Sequence, residues 1–166
     1  MMQYILMLLA AAGVVAADQL TKLWVLRDIP LYGNVPVWSG VFSLTYIQNR
    51  GAAWGSFQGM RWLFIVIFAL FTLGVIWEFS KKRMPFRAFE RWCIALIWAG
   101  GLGNIIDRVR LGFVVDMIKT DFIDFPIFNV ADCFITCGCI ALVVSLLFNR
   151  DFWKDEKKRE DTEETE

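Results

Sequence analysis

The sequence contains no histidine and only 4 cysteines, all of which lie in apolar stretches: Cys93, Cys133, Cys137 and Cys139. No histidine is present to complete a zinc site, and thiols in such surroundings behave as small hydrophobic groups. The sequence therefore disfavours both a classical zinc centre and a disulfide framework. We expect no metal and no cofactor.

An excess of either charge is also lacking, because the 17 Lys and Arg residues balance the 17 Asp and Glu residues. This balance argues against a partner that is a nucleic acid. Hydrophobic residues, in contrast, make up 57% of the chain, and the mean hydropathy is +0.50. A soluble domain of 166 residues cannot bury so many apolar side chains, so lipid must cover much of the surface.

Four windows are apolar enough to cross a bilayer, which takes about 20 residues: residues 4–26, 62–79, 92–109 and 131–148. Residues 34–57 form short β-prone runs separated by glycine and proline. The predicted fold is a membrane all-α bundle of four transmembrane helices, with a small extracytoplasmic β-sheet between helices 1 and 2. This four-helix domain would span residues 1–152. Residues 153–166 are predicted to form a disordered, charged cytoplasmic tail.

Basic residues cluster in residues 81–91 and again in residues 150–159. Such clusters next to spans stay on the cytoplasmic side. We therefore expect a multi-pass protein with both termini in the cytoplasm and with residues 27–61 and 110–130 outside.

The first span admits a second interpretation. Val15, Ala16 and Ala17 before Asp18 are similar to the cleavage site of a secretory signal peptide. No Lys or Arg precedes them, however, and apolar residues continue to Leu26. A retained first span is therefore favoured.

Polar residues interrupt the outer ends of two spans, where they are costly unless they have a role. Asp18 and Lys22 lie four residues apart and can pair on one helix face. Asn104, Asp107 and Arg108 end the third span after three glycines. Two plainer explanations stay open, namely an ion pair that braces the bundle and a helix-packing motif capped by an Asp–Arg pair.

Two acids, Asp116 and Asp132, stand at apolar borders on the outer side. If they converge, the pair is what a hydrolase needs to activate water without a metal or a nucleophilic serine. Plainer explanations exist here too. Asn129 is a good N-cap for the last span with Asp132 in its first turn, and Gly51 can form a turn.

Five sequence blocks together resemble the lipoprotein signal peptidase (signal peptidase II) family. They are Asp18-Gln19-Leu20-Thr21-Lys22, Asn49-Arg50-Gly51-Ala52-Ala53-Trp54-Gly55, the block from Gly100 to Arg108, Val114-Val115-Asp116 and Phe128-Asn129-Val130-Ala131-Asp132. The resemblance implies an aspartyl endopeptidase of the bacterial cytoplasmic (inner) membrane with its active site at the outer face. Its partners would be membrane lipid and prolipoproteins, cut on the amino side of a diacylglyceryl-modified cysteine.

The resemblance also implies roles for single residues. Asp116 and Asp132 would be the catalytic pair. Nine further residues would line or support the site: Asp18, Lys22, Asn49, Gly51, Asn104, Asp107, Arg108, Asn129 and Ala131. Met117 departs from the aromatic residue that is common in the family and is expected at the lipid-facing edge of the pocket. We expect a monomer.

A rival interpretation is a small non-enzymatic membrane protein, such as a transporter or ion-relay subunit. An ion relay favours charges near mid-span, whereas these acids lie at the outer boundary. A soluble-type aspartic protease is disfavoured because its two acids come from facing β lobes.

The predicted orientation can be tested by labelling engineered cysteines in intact cells. A cysteine introduced at Gly40 should react with a membrane-impermeant reagent added outside, and one introduced at Lys82 should not. The reverse pattern would contradict the orientation and would put both acids on the cytoplasmic side.

Overall fold

The computed structural model describes residues 2–52, 54, 56–81, 84–149 and 153. This part of the chain holds four long helices: α1 (Met2–Asp28), α2 (Arg61–Lys81), α3 (Ala88–Arg110) and α4 (Val130–Phe148). It also holds three strands: β1 (Asn34–Trp38), β2 (Phe42–Asn49) and β3 (Val114–Thr120). Apart from Trp153, the tail predicted to be disordered lies outside the described residues.

Helices α1, α2 and α4 are long and apolar enough to cross a membrane. Helix α2 has the least protein around it, since Glu78 is its only buried residue. Large apolar side chains such as Leu70 and Leu73 are more than half exposed along its length. In water such a surface would be unstable, so lipid covers it. The chain is a multi-pass membrane protein.

Helix α3 differs from the other three in what surrounds it. It packs against α1, α2 and α4, and its buried residues include the polar side chains Glu90, Asn104 and Asp107. Protein rather than lipid shields much of its surface, which explains why it tolerates so many polar groups. That α3 forms a fourth membrane span stays a prediction.

Glycines let α3 approach its neighbours closely. A Cβ atom added to Gly100 would lie 2.6 Å from the carbonyl oxygen of Ala131 in α4. One added to Gly101 would lie 2.6 Å from the Phe68 ring in α2. Both distances are shorter than van der Waals contact, so α3 can pack this closely on α4 and on α2 only because these two positions lack side chains.

The strands form one antiparallel sheet in the order β1-β2-β3. Gly40, with a φ of +75°, lies in the turn between β1 and β2. The predicted small sheet is thus present between α1 and α2. Its third strand, which the sequence analysis did not assign, comes from the connection between α3 and α4.

Side chains alternate across β3 and so separate the core from the cavity beside it. Val115 and Met117 pack with Val25 and Ile29 at the C-terminal end of α1. Asp116, between them, points to the other side of the strand. The expected position of Met117 at the edge of the pocket is wrong, because Met117 is 2% exposed and belongs to this core.

The close packing of α3 on α4 predicts a difference between two glycines. Gly100→Ala should destabilise the protein by about 1–3 kcal/mol, since the new methyl group would overlap the backbone of α4. Gly74→Ala in α2 should be neutral or slightly stabilising, because its Cβ would meet nothing within 4 Å. Thermal unfolding of both variants in the same detergent tests this, and equal midpoints would contradict it.

Candidate active site

A buried ammonium group lies between α1 and α3. Lys22 is 1% exposed, and its Nζ lies 2.9 Å from Asp18 and 3.0 Å from Asp107. Its third hydrogen bond, of 2.9 Å, goes to the Oδ1 atom of Asn104. Since an ammonium group has three N–H donors, all of them are used. The predicted pairing of Lys22 with Asp18 is therefore one side of a larger cluster.

Asp107 connects this cluster to the sheet. Its Oδ2 atom accepts from Lys22 and also from the backbone N–H of Val115 at 3.1 Å, and its Oδ1 atom accepts from Gln19 at 3.0 Å. A cap formed by Asp107 and its neighbour Arg108 was one plainer explanation of this residue. That explanation is insufficient, because the main contacts of Asp107 are with Lys22, Gln19 and the backbone of Val115. Asp107 holds the start of β3, one residue before Asp116.

Asp18 connects the cluster to α4. Its Oδ1 atom accepts from the backbone N–H of Ala131 at 3.0 Å, and both residues are fully buried. Any side chain at Gly103 would overlap the Asp18 carboxylate. Glycine at this position is thus needed for the carboxylate to lie between α1, α3 and α4.

Two asparagines lead from Lys22 to the two predicted catalytic acids. Asn104 accepts from Lys22 with Oδ1 and donates from Nδ2 to Asp132 at 2.8 Å. Asn129 donates from Nδ2 to Asn104 at 3.1 Å and to Asp116 at 2.7 Å. Asp116 and Asp132 are therefore joined through a continuous set of hydrogen bonds.

Asp132 lies in the first turn of α4, and Asn129 is the N-cap of this helix. The side chain of Asn129 accepts from the backbone N–H of Asp132 at 3.0 Å, and Asp132 accepts in return from the backbone N–H of Asn129 at 3.1 Å. The plainer explanation of Asn129 as a cap is thus correct, and the same amide also reaches Asp116. One residue serves both purposes.

Asp116 is 1% exposed, and each of its oxygens accepts from an amide, Asn129 at 2.7 Å and Asn49 at 2.9 Å. Burial first, and then the nearby charge of Asp132, raise the pKa of the Asp116 carboxyl, which lies at about 7. The two amide donors and the charge of Lys22 oppose this rise in pKa. Asp116 can therefore hold or release a proton near neutral pH.

The loop after β2 completes the site. The Oδ1 atom of Asn49 accepts from the Gly51 N–H at 2.9 Å, and the Gly51 carbonyl accepts from Arg108 at 2.8 Å. The guanidinium carbon of Arg108 lies 4.4 Å from the centre of the Phe64 ring in α2. A side chain at Gly51 would overlap the backbone of Ser56. This close turn holds Asn49 beside Asp116.

Asp116 and Asp132 both line a cavity of about 700 Å³. The polar part of its wall contains Asn49, Asn104 and Arg108. The rest is largely apolar and comes from α2, α3, α4 and the connections after β2 and β3, including Phe64, Ile67, Phe68, Phe71, Ile105 and Ile135. The cavity suits a ligand that has a long apolar part and one polar segment near the two acids.

All eleven predicted site residues thus lie in this cavity or in the hydrogen-bond set behind it. Gln19 was missed, although its side chain donates to Asp18, Asp107 and the carbonyl of Gly103. Its place beside Asp18 in the first sequence block is the signal that could have identified it. Among the described residues, no group of three or more acidic, cysteine or histidine side chains is placed to hold a metal.

Comparisons with known proteins agree on one family. Residues 10–148 match the family model described as "Signal peptidase (SPase) II". A lipoprotein signal peptidase of Lactococcus lactis subsp. cremoris (strain MG1363) is 45% identical over 140 residues, which cover 82% of this chain and 90% of the relative. A lipoprotein signal peptidase of Streptococcus pyogenes serotype M5 (strain Manfredo) is 42% identical over 151 residues, covering 91% and 95%.

A solved structure also has this fold. It is described as "Bacterial membrane enzyme structure by the in meso method at 2.3 A resolution", and it is 36% identical to this chain with a TM-score of 0.81. The match covers 86% of this chain and 88% of the solved one.

The charge cluster predicts a large effect for Lys22→Met. Removal of the cation would leave Asp18 and Asp107 buried without a counter-ion, which should destabilise the fold by about 3–5 kcal/mol. The matched control is Lys119→Met, where the side chain is 46% exposed and lies 3.7 Å from Asp121, so the loss should be below about 1 kcal/mol. Unfolding midpoints in one detergent measure both. A Lys22→Met protein as stable as the control would contradict the cluster's role.

Proposed function

The chain belongs to the signal peptidase II family, and on this premise we propose that it removes signal peptides from prolipoproteins by a two-aspartate mechanism. The catalytic residues are Asp116 and Asp132. The observation that carries this proposal is that two carboxylates from separate elements, β3 and α4, line one cavity and are linked through Asn129 and Asn104.

The mechanism needs one ionised and one protonated carboxyl group. The ionised group takes a proton from a water molecule, whose oxygen then attacks the carbonyl carbon of the peptide bond. The protonated group donates its proton to the leaving nitrogen as the C–N bond breaks. The products are a carboxylate on the signal peptide and a free amino group on the cysteine. A pKa near 7 at Asp116 lets the pair hold one proton at neutral pH.

The substrate is a prolipoprotein cut on the amino side of a diacylglyceryl-modified cysteine. The apolar wall of the cavity, with Phe64 and Phe68 of α2 and Ile135 of α4, suits acyl chains and an apolar signal peptide that arrive from lipid. Arg108 has further N–H donors beyond its bond to Gly51 and can hold a substrate carbonyl group.

The site belongs at the outer face of the bacterial cytoplasmic (inner) membrane. In this arrangement α3 is the fourth span, both termini lie in the cytoplasm and the sheet lies outside, as the basic residues near Lys81 indicate. The enzyme acts as a monomer and needs no cofactor.

The rival function, a transporter or ion-relay subunit, is less well supported. An ion relay needs acids along the depth of the membrane. Asp116 lies on a strand outside the helices and Asp132 lies in the first turn of α4, so both stand at one end of the bundle. Such a pair suits reaction at the surface better than transport across it.

The two-aspartate mechanism predicts that Asp116→Asn and Asp132→Asn each abolish cleavage. An amide keeps the shape of the side chain but cannot exchange the proton. The double variant should be about as inactive as either single one, since the pair acts as a unit. The assay uses purified protein in detergent with a diacylglyceryl-modified prolipoprotein and an unmodified control substrate.

The matched control for these variants is Asp121→Asn, an outer acid that bonds to Ser43 and does not line the cavity. It should keep nearly full activity. Substantial turnover by folded Asp116→Asn or Asp132→Asn protein would exclude the mechanism.

The raised pKa of Asp116 predicts how the rate depends on pH. As the pH rises through about 7, the pair loses its shared proton, so the rate should fall. At low pH both acids are protonated and the base is lost, which gives a bell-shaped profile. Steady-state rates from pH 4 to 9 test this. A rate that keeps rising above pH 8 would contradict it.

The raised pKa of Asp116 also predicts how the stability of the fold changes with pH. The folded protein keeps the Asp116 proton up to about pH 7, whereas the unfolded chain loses it near 3.8. Within this window the folded state binds more protons, so this residue's contribution lowers stability as the pH rises. Asp116→Asn protein should therefore be inactive yet at least as stable as the wild type at pH 8.

A further inference from the structure

A second cavity, of about 550 Å³, adjoins the cavity that holds the two acids. The two cavities share the residues Asn49, Ala52, Trp54, Phe125, Pro126 and Ile127. Among these, Asn49 donates a hydrogen bond to Asp116. The second cavity therefore begins where the peptide bond would be cut.

The walls of this second cavity, here called the polar pocket, differ from those of the first. Beyond the shared residues it is lined by Tyr32, Ile47, Gln48, Arg50, Gln58 and Asp124. All of them come from β2 or from connections outside the helices, and Arg50 and Asp124 are exposed. Among the described residues, none that lines the polar pocket belongs to α2, α3 or α4, so the pocket opens to water rather than to lipid.

We propose that the polar pocket binds the substrate residues that follow the modified cysteine. This inference rests on the proposed function, because it takes the peptide bond at Asp116 and Asp132 as given. The bound substrate must extend from the two acids in two directions, with the signal peptide on one side of the scissile bond and the rest of the chain on the other. The apolar cavity suits the signal peptide and the acyl chains. The polar pocket suits the hydrophilic part of the chain, which continues from the cleavage site into water.

The charges in the polar pocket give it a sequence preference. Within the described part of the chain, the guanidinium of Arg50 makes one weak hydrogen bond, of 3.4 Å, to Gln48, and it lies 5.6 Å from the centre of the Phe113 ring. Stacking on a ring orients the group and leaves N–H donors for an acidic residue of the substrate. Asp124 offers the opposite charge, so it favours a basic residue. Arg50 and Asp124 should therefore shift the preference for charged substrate residues in opposite directions.

Substrate competition tests this preference. Two diacylglyceryl-modified peptides, with aspartate or with lysine in the positions after the cysteine, are compared by their kcat/KM values. Arg50→Gln should shift the ratio toward the lysine peptide, and Asp124→Asn should shift it toward the aspartate peptide. Each shift should be about two- to fivefold, the range expected of exposed charge pairs. The control Arg61→Gln removes an exposed cation that lines neither cavity and should leave the ratio unchanged.

A cross-linking experiment locates the chain directly. A photoreactive residue three positions after the modified cysteine is added to the substrate, and the probe is bound to Asp116→Asn protein, which does not cut it. Mass spectrometry should find labelled residues within 47–58 or 124–127. Labels confined to other segments, or equal kcat/KM ratios in all variants while wild-type protein cuts both peptides, would overturn the inference and leave the proposed function standing. Failure of wild-type protein to cut either peptide would overturn both.

Discussion

An ammonium group buried among helices is tolerated only when oxygen atoms meet each of its N–H donors, and Lys22 satisfies this condition with three side chains from two helices. An N–H donor of Lys22 left without an acceptor would destabilise the fold, so α1 and α3 are held in the alignment that supplies all three acceptors. The same cluster extends to α4 through Asp18 and to β3 through Asp107. Three helices and the sheet are therefore positioned relative to one cation.

The alignment also decides which way two amides point. Asn104 accepts from Lys22 with its oxygen, so its nitrogen is left to donate to Asp132. Asn129 accepts from the backbone of Asp132 with its oxygen, so its nitrogen is left to donate to Asp116. A cation in α1 thereby orders the donors at both acids without touching either one. A polar network with every member satisfied fixes a single arrangement.

Sequence analysis predicted the three helices that are apolar enough to cross a membrane and the set of residues that the structure brings together around the cavity, because hydropathy and ordered sequence blocks are local signals. Their roles in catalysis stay predictions. It missed β3, since Val114–Thr120 is buried on both faces at Val115 and Asp116 and shows no clean alternation of apolar and polar residues. It also did not find the contact of Asp107 with Lys22. Spacing along a helix identifies neighbours on that helix, and these two residues belong to different helices.

The distance between Lys22 and the acids matters as much as its charge. A cation in direct contact with Asp116 would stabilise the carboxylate and keep it ionised at neutral pH. Lys22 instead acts through Asn104 and Asn129, and neutral amides are the groups that bond to Asp116. Burial then outweighs these donors and raises the pKa of Asp116 to about 7. The network thus orients the carboxyl group and still lets it exchange a proton, which the proposed two-aspartate mechanism requires.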